Sequence, residues 1–300
     1  MATGEAALAD LDRSGTQSRA LTRLTVGSAI GLFSLIVLSV VFIFPFFWTV
    51  TSSLKQPYEI FNFPPTVFPS VPQWKNYATV FEIAPFARWI LNSVFVVVVG
   101  TLGVVFTSSI VAYSFARFKY RGRDVIFLLT LGTMMLPAQI TLIPQYVLFS
   151  KMGWINTLYP LWVPLWFGGG AFYIFLLRQF FLSLPRELDE AALIDGAGYF
   201  RIFWTILMPL SVPALATVMI ISFIGSWGDF LSPLIYLNSP DIFTIAMGLF
   251  FFQNDPDLGG IPTQHLLMAA SVMTVIPCVV LFFAMQRYFI QGVVLAGIKG

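Results

Sequence analysis

Residues 89–116 read WILNSVFVVVVGTLGVVFTSSIVAYSFA, a run without a single Asp, Glu, Lys or Arg. As an α-helix rising about 1.5 Å per residue, such a run extends about 42 Å, more than the roughly 30 Å of a bilayer's hydrocarbon core. A charge at mid-bilayer costs about 2.5–3.5 kcal/mol on insertion scales, so this stretch reads as a segment dissolved in lipid. Five further charge-free runs of comparable length follow the same logic: 24–54, 125–150, 152–177, 202–228 and 258–286. The chain is therefore expected to be an all-α integral membrane protein with six transmembrane helices. Its composition agrees: 58% of the 300 residues are apolar and 17% aromatic, and 10% are charged where soluble domains carry about 25%.

Orientation follows from the cations, which are retained on the cytoplasmic side of the membrane. One side collects Arg13, Arg19, Arg23, Arg117, Lys119, Arg121, Arg123, Arg178, Arg186, Arg201, Arg287 and Lys299, whereas the other holds Lys55, Lys75, Arg88 and Lys151. Both termini are therefore expected in the cytoplasm. The resulting organisation is a cytoplasmic tail over 1–22, a first transmembrane helix over 23–54 and an extracellular segment over 55–87. A core over 88–290 holds the other five helices, and a cytoplasmic tail covers 291–300. The first run is too long for a secretory leader and has no small-residue cleavage site, so it is expected to remain as a span. The extracellular segment contains Pro64, Pro65, Pro69 and Pro72 and aromatic residues suited to a membrane surface. A shorter apolar run, 242–254, lies between Asp241 and Asp255 and reads as an interfacial or outer-surface helix.

Helix breakers recur inside the spans: Pro137 and Pro144, then Pro160, Pro164 and Gly168 to Gly170, then Pro209 and Pro213, then Pro277. Lipid tolerates them only where protein or enclosed water satisfies the freed backbone groups, which is the texture of a bundle that moves or encloses a path. Single kinks are also ordinary packing features. No Asp, Glu, Lys or Arg lies well inside a span, which disfavours proton- or sodium-coupled carriers, since these usually bind their ion on such a group. Neutral polar residues in the spans suit either hydrogen bonds to hydroxyls or interhelical contacts; Asn92, Gln139 and Ser226 are the candidates for lining a path. The single Cys278 and single His265 exclude an internal disulfide and a Cys/His zinc cluster, and with no paired nucleophile and base the chain reads as non-catalytic. It has no phosphate-binding Gly-x-x-x-x-Gly-Lys loop.

The loop between the fourth and fifth runs is chemically distinct: SLPRELDEAALIDGAG over residues 183–198. Pro185 suits a first helical turn, Glu187, Asp189 and Glu190 place negative charge at the positive end of a helix, and Gly196 is placed to end it. On that helix Leu188, Ala191, Ala192 and Asp195 share one face, a flat surface of small residues that another protein can approach closely. A plain surface turn, with acids that serve only the helix dipole, is the alternative.

The stretch from Glu190 to Ala197, followed by Ile206-Leu207-Met208-Pro209 and Pro213, resembles the signature of the permeases of binding-protein-dependent ABC importers. Within them it is most similar to the smaller subunit of the maltose-type carbohydrate permeases. Asn92-Ser93, Met135-Leu136-Pro137, Ile143-Pro144 and the terminal QGVVLAG run over 291–297 fit that subgroup. Trp227-Gly228-Asp229-Phe230 departs from it, because many relatives have asparagine before the acid. The resemblance implies the type I ABC importer permease fold and a partnership with a second homologous permease, two ABC ATPase subunits and an extracellular or periplasmic substrate-binding protein. It places the chain in a prokaryotic cytoplasmic membrane and implies import of a mono-, di- or oligosaccharide or a related polyol phosphate. No cofactor is expected in this chain, ATP and Mg²⁺ being bound by the ATPases. Residues 186–198 would be the coupling helix, with Leu188, Glu190, Ala191, Ala192, Asp195, Gly196 and Pro209 as the ATPase-coupling set. Glu190 would act by charge, Ala191 and Ala192 would allow close docking, and Gly196 would set the bend. An ATP-independent channel or facilitator for small polar solutes would leave this loop unexplained.

Overall fold

The computed structural model describes residues 26–254 and 263–297; the 1–22 tail, Asp255, Asp257, the start of the sixth run and the last three residues lie outside them. Among the described residues the regular structure is entirely helical. Four of the described helices are long and apolar enough to cross a membrane: Ile30–Ser53, Phe86–Arg117, Tyr159–Ser183 and Gln264–Gln286. Two helix pairs are bent, Arg123–Met135 with Gln139–Lys151 at 99° and Tyr199–Leu210 with Val212–Trp227 at 77°; counted as one span each, they bring the number to six.

The first helix, Val26–Ser53, belongs up to Thr51 to a compact unit of its own. Side chains such as Ile30, Phe33, Phe42 and Ile43 are exposed along it. Thr49 donates to the Pro45 carbonyl at 2.8 Å, a local partner for an oxygen inside the helix.

The second unit, from Ser52 on, is built around the second span, Phe86–Arg117, which packs against the fourth and fifth spans and the helix Ile245–Asn254, while the sixth span packs on the fifth and on that helix. Small residues make this possible. A Cβ on Gly100 would lie 2.7 Å from the Leu165 side chain, and one on Gly103 would lie 2.5 Å from the Trp166 ring. Trp166 uses the closeness to donate its indole N–H to the Val99 carbonyl at 3.1 Å, and Thr101 meets Ser222 of the fifth span at 3.3 Å. Among the described residues, buried side chains form two clusters. One includes Ala112, Ala116, Phe181, Ile202 and Phe203 at the cytoplasmic end, and the other includes Trp89, Trp227, Ile245, Met247 and Ala269 at the outer end.

The breakers act unequally. At Pro137 the third span turns sharply, because the residue before a proline is driven to extended backbone and Leu136 (φ −81°, ψ 119°) obeys. The fifth span passes through a π-helical turn, Phe203–Leu207, and breaks at Ser211. There Pro213 has no N–H to continue the ladder and its ring crowds the carbonyl four residues back. The fourth is divided at Gly168, Gly169 and Gly170, all at positive φ, with Gly169 closely apposed to Ser108 of the second span. Pro277 breaks nothing, since the last helix runs without interruption from Gln264 to Gly297. Residues 291–297, expected as tail, are thus helical. The 242–254 run forms the helix Ile245–Asn254 but is not merely superficial. Ile245 and Met247 are buried, Gly248 lies directly on the Trp89 ring, and Trp89 donates to the Pro240 carbonyl at 2.8 Å.

Gly248→Val forces a branched side chain onto a ring fixed by its own hydrogen bond. Overpacking of this kind costs about 1–3 kcal/mol, so the thermal unfolding midpoint in detergent is expected to fall. Gly132→Ala, at a position where an added Cβ meets nothing within 4 Å, is expected to leave it unchanged.

Candidate functional site: the cytoplasmic elbow and the outer cavity

The loop between the fourth and fifth spans folds as a short helix, Glu187–Ile194. Leu184 (ψ 138°) is extended ahead of Pro185, which turns the chain out of the fourth span. Arg186 is the N-cap, so Pro185 lies just outside the helix rather than in its first turn, a correction to the sequence expectation. Glu187, Asp189 and Glu190 occupy the first turn, where the exposed N–H groups favour negative charge.

Closure is achieved by backbone geometry. Gly196 has φ +80°, its N–H donates to the Leu193 carbonyl at 3.1 Å, and the Ala197 N–H donates to the Ala192 carbonyl at 2.9 Å. These two bonds around a left-handed residue make a Schellman motif, which satisfies the last carbonyls and reverses the chain. A Cβ at Gly196 would meet nothing within 4 Å, so its conformation, not space, calls for glycine.

The elbow is fastened to the second span by a buried ion pair. Arg117 Nε lies 2.9 Å from Asp189 Oδ2, with the two side chains 4% and 15% exposed. Arg117 also donates to the Leu184 carbonyl at 3.2 Å, and the Tyr113 hydroxyl donates to the Tyr199 carbonyl at 3.2 Å beyond the elbow. Burial pushes the Asp189 carboxyl above the usual range, against the pull of Arg117 and Arg186. A cavity of about 140 Å³ lies here, lined in part by Arg186, Glu190 and Leu193.

The expected docking face is only partly the exposed one. Glu190, Ala191, Asp195 and Gly196 are exposed, Leu188 is at the margin, and Ala192 is turned inward. Ala192 joins the core cluster of Ala116 and Phe203, so it holds the elbow to its own bundle and is not free to admit another protein. The outward apolar surface comes instead from Ile194, 86% exposed, and Phe200, 76% exposed. A pattern of small residues did not reveal them; their place beside the acidic run could have. Pro209 is exposed in the turn Met208–Leu210, at the bend of the fifth span and not in the elbow.

The candidates for a path are scattered. Gln139 lines a cavity of about 730 Å³ together with Gln145, Trp154, Asp229 and Tyr236. Asp229 accepts from the Ser232 N–H at 3.1 Å, starting the short helix Leu231–Tyr236. Asn92 is occupied elsewhere: its amide donates to the carbonyls of Asp241 and Phe243 at 3.0 Å each, and neighbouring Ser93 accepts from the Ile245 N–H at 2.7 Å. Asn92 and Ser93 thus tie the second span to the outer helix. Ser226, half-buried near the end of the fifth span, is not among the residues lining the cavity.

Residues 104–294 match the family model described as binding-protein-dependent transport system inner membrane component. The arabinooligosaccharides transport system permease protein AraQ of Halalkalibacterium halodurans is 35% identical over 266 residues, covering 86% of this chain and 91% of that protein. The sn-glycerol-3-phosphate transport system permease protein UgpE of Yersinia pestis is 32% identical over 267 residues, 87% of this chain and 93% of its own. The fold is similar to a chain in the crystal structure of a bacterial ABC transporter involved in the import of alginate, with a TM-score of 0.76, 21% identity and coverage of 89% and 98%.

Removing one partner of a buried ion pair leaves an uncompensated charge and typically costs about 3–5 kcal/mol, whereas replacing both by apolar groups is often neutral. Arg117→Met is therefore expected to lower the unfolding temperature markedly and Arg117→Met/Asp189→Leu to regain most of the loss. Gly196→Ala is expected to cost about 1–2 kcal/mol through its left-handed conformation.

Proposed function

The chain belongs to the family of binding-protein-dependent transport system inner membrane components, multi-pass proteins of the inner membrane, and from that premise we propose that it is a pore-forming permease of an ATP-driven sugar importer. The observation that carries the proposal is the elbow: an acidic, glycine-closed helix, anchored to the second span and presenting Ile194 and Phe200 outward. Apolar side chains so exposed at a cytoplasmic loop suit a protein partner, with Glu190 and Asp195 to pair with cations around it. In this reading the partner is an ABC ATPase, residues 186–198 are the coupling helix, and Glu190, Ala191, Asp195 and Gly196 serve docking or its geometry. Leu188 lies at its edge, Ala192 positions the helix from within, and Pro209 belongs to the bend that the motion flexes.

ATP binds to the ATPases, and their closure displaces the elbow. Because Arg117 and Tyr113 fasten the elbow region to the second span, the displacement reaches the span on which the bundle is packed. The angled third and fifth spans supply places where the helices can rotate without breaking a continuous ladder. A second homologous permease completes the path, and a substrate-binding protein delivers solute from outside.

The substrate in this reading is a neutral sugar. The outer cavity places the amides of Gln139 and Gln145 beside Trp154 and Tyr236, a set that can hydrogen-bond hydroxyls and cover a sugar's apolar face. Its described lining includes the carboxylate of Asp229 and no lysine or arginine, which favours an uncharged solute over a phosphate ester. Of the relatives, AraQ is named for arabinooligosaccharides, in line with this class, and UgpE for a polyol phosphate, so the preference for a neutral solute rests on the cavity lining.

Ile194→Asp is expected to insert in the membrane normally, to copurify with the second permease, and to lose the ATPase subunit together with at least about a tenfold share of uptake. Uptake and ATPase copurification at the level of the unsubstituted protein would contradict the docking role. A thermal-shift screen of the cognate binding protein is expected to show stabilisation by a neutral mono- or oligosaccharide; stabilisation by polyol phosphates alone would redirect the substrate assignment.

A further inference from the structure

The segment after the first span is built inside out. A loop in water turns its apolar side chains in and its charges out, yet here the charges are inside. Lys55 is 1% exposed and donates its ammonium to the Thr66 carbonyl at 2.5 Å. Glu59 is also buried and accepts from the Ser70 N–H at 2.8 Å and the Gln56 N–H at 3.3 Å. Burial works against the Glu59 charge, but these N–H groups and the nearby Lys55 bring its carboxyl below the usual range. Buried Asn76 closes the arrangement by donating to the carbonyls of Ser53 and Lys55 at 2.8 and 2.9 Å.

The surface held up by this polar interior is apolar. Phe63 is 96% exposed, and Tyr58, Phe61, Val67, Val71 and Trp74 are exposed as well. Residues 60–74 contain no charged side chain. The shape is fixed, because the Gln73 N–H returns to the Leu54 carbonyl at 2.9 Å and the following helix, Lys75–Ile83, packs on the sixth span. An exposed apolar patch of this kind marks an interaction surface.

We propose that the apolar face of residues 58–74 lies in the outer leaflet, at the boundary between headgroups and acyl chains, as an anchor that holds the extracellular segment on the membrane. Three observations favour lipid as the occupant. The segment begins directly where the first transmembrane helix ends, at Ser53, and so starts at the level of the membrane's outer face. Tyr58 and Trp74 are of the types enriched at membrane–water boundaries, and Phe61 and Phe63 are of the type that interfacial segments bury at the acyl boundary. It offers no charge to orient a soluble partner, whereas docking surfaces for such partners carry a polar, charged rim. Glu59 and Lys55, which would be costly at that depth, are withdrawn into the loop and hydrogen-bonded there. This inference is independent of the assignment of the elbow to an ATPase.

The test places an environment-sensitive fluorophore on Phe63→Cys, and separately on Trp74→Cys, in a Cys278→Ser background reconstituted in lipid nanodiscs. The expected result is blue-shifted emission, loss of most of the intensity when the lipid carries a spin label near its headgroup, and little quenching by aqueous iodide. The pattern is expected to persist in the assembled importer with its binding protein present. Efficient iodide quenching without lipid quenching would place the segment in water and overturn the proposal. Protection from both quenchers, or lipid quenching that disappears on assembly, would show that a protein covers the surface and would overturn it equally. Agreement between the two sites guards against a local distortion by either substitution.

Discussion

In hydrocarbon there is no water to satisfy a peptide group, so each break in a transmembrane helix must be covered by other protein or face an aqueous path. At the fourth span the bundle meets this constraint through the second span. Its glycines let Leu165 and Trp166 approach its backbone, Trp166 donates to its Val99 carbonyl, and Ser108 and Val104 lie against Gly169 where the fourth span is divided. A fourth span divided by three glycines is tolerable because this regular helix is packed against the break, whereas the third turns at Pro137 among exposed residues, beside the cavity that Gln139 lines. The same span ends in Arg117, so the element that organises the core also holds the cytoplasmic elbow.

This arrangement gives the elbow its mechanical character. A surface turn would move independently of the bundle, but the Glu187–Ile194 helix is joined to it by an ion pair largely shielded from solvent, by inward-facing Ala192 and by the Tyr113 hydrogen bond just beyond it. The pair is not required to be a large source of stability, since the desolvation of both groups offsets much of their attraction. Its value lies in direction: a force applied at Ile194 or Glu190 has a stiff route to the second span.

Much of this could be read from residues alone, and the gaps have physical causes. Charge-free runs located all six spans because the cost of a charge in lipid is local and visible at each position. The acidic start and Gly196 stop of the elbow were legible because capping is also local. What could not be read was orientation around a short helix. Ala191 and Ala192 look equivalent in sequence, yet one is exposed and the other buried, a choice made by the neighbouring Ala116 and Phe203. Asn92 suggested a path because polar residues in spans are ambiguous, and its partners, the carbonyls of Asp241 and Phe243, lie about 150 positions away. Prolines were overcounted for a related reason: Pro137 redirects its span, whereas Pro277 sits in a helix that runs on past residue 290. Arg117 was legible only as one of many cytoplasmic cations, because its pairing with Asp189 depends on the fold.

On the proposed reading the elbow is the contact through which a separate ATPase moves this bundle. A photo-crosslinking residue at Ala191, which is exposed on the elbow, tests this in membranes containing the assembled importer. An adduct with the ATPase subunit is expected, with a yield that changes between ATP-bound and nucleotide-free states. An adduct confined to lipid or to this chain, with none to an ATPase in either state, would contradict it.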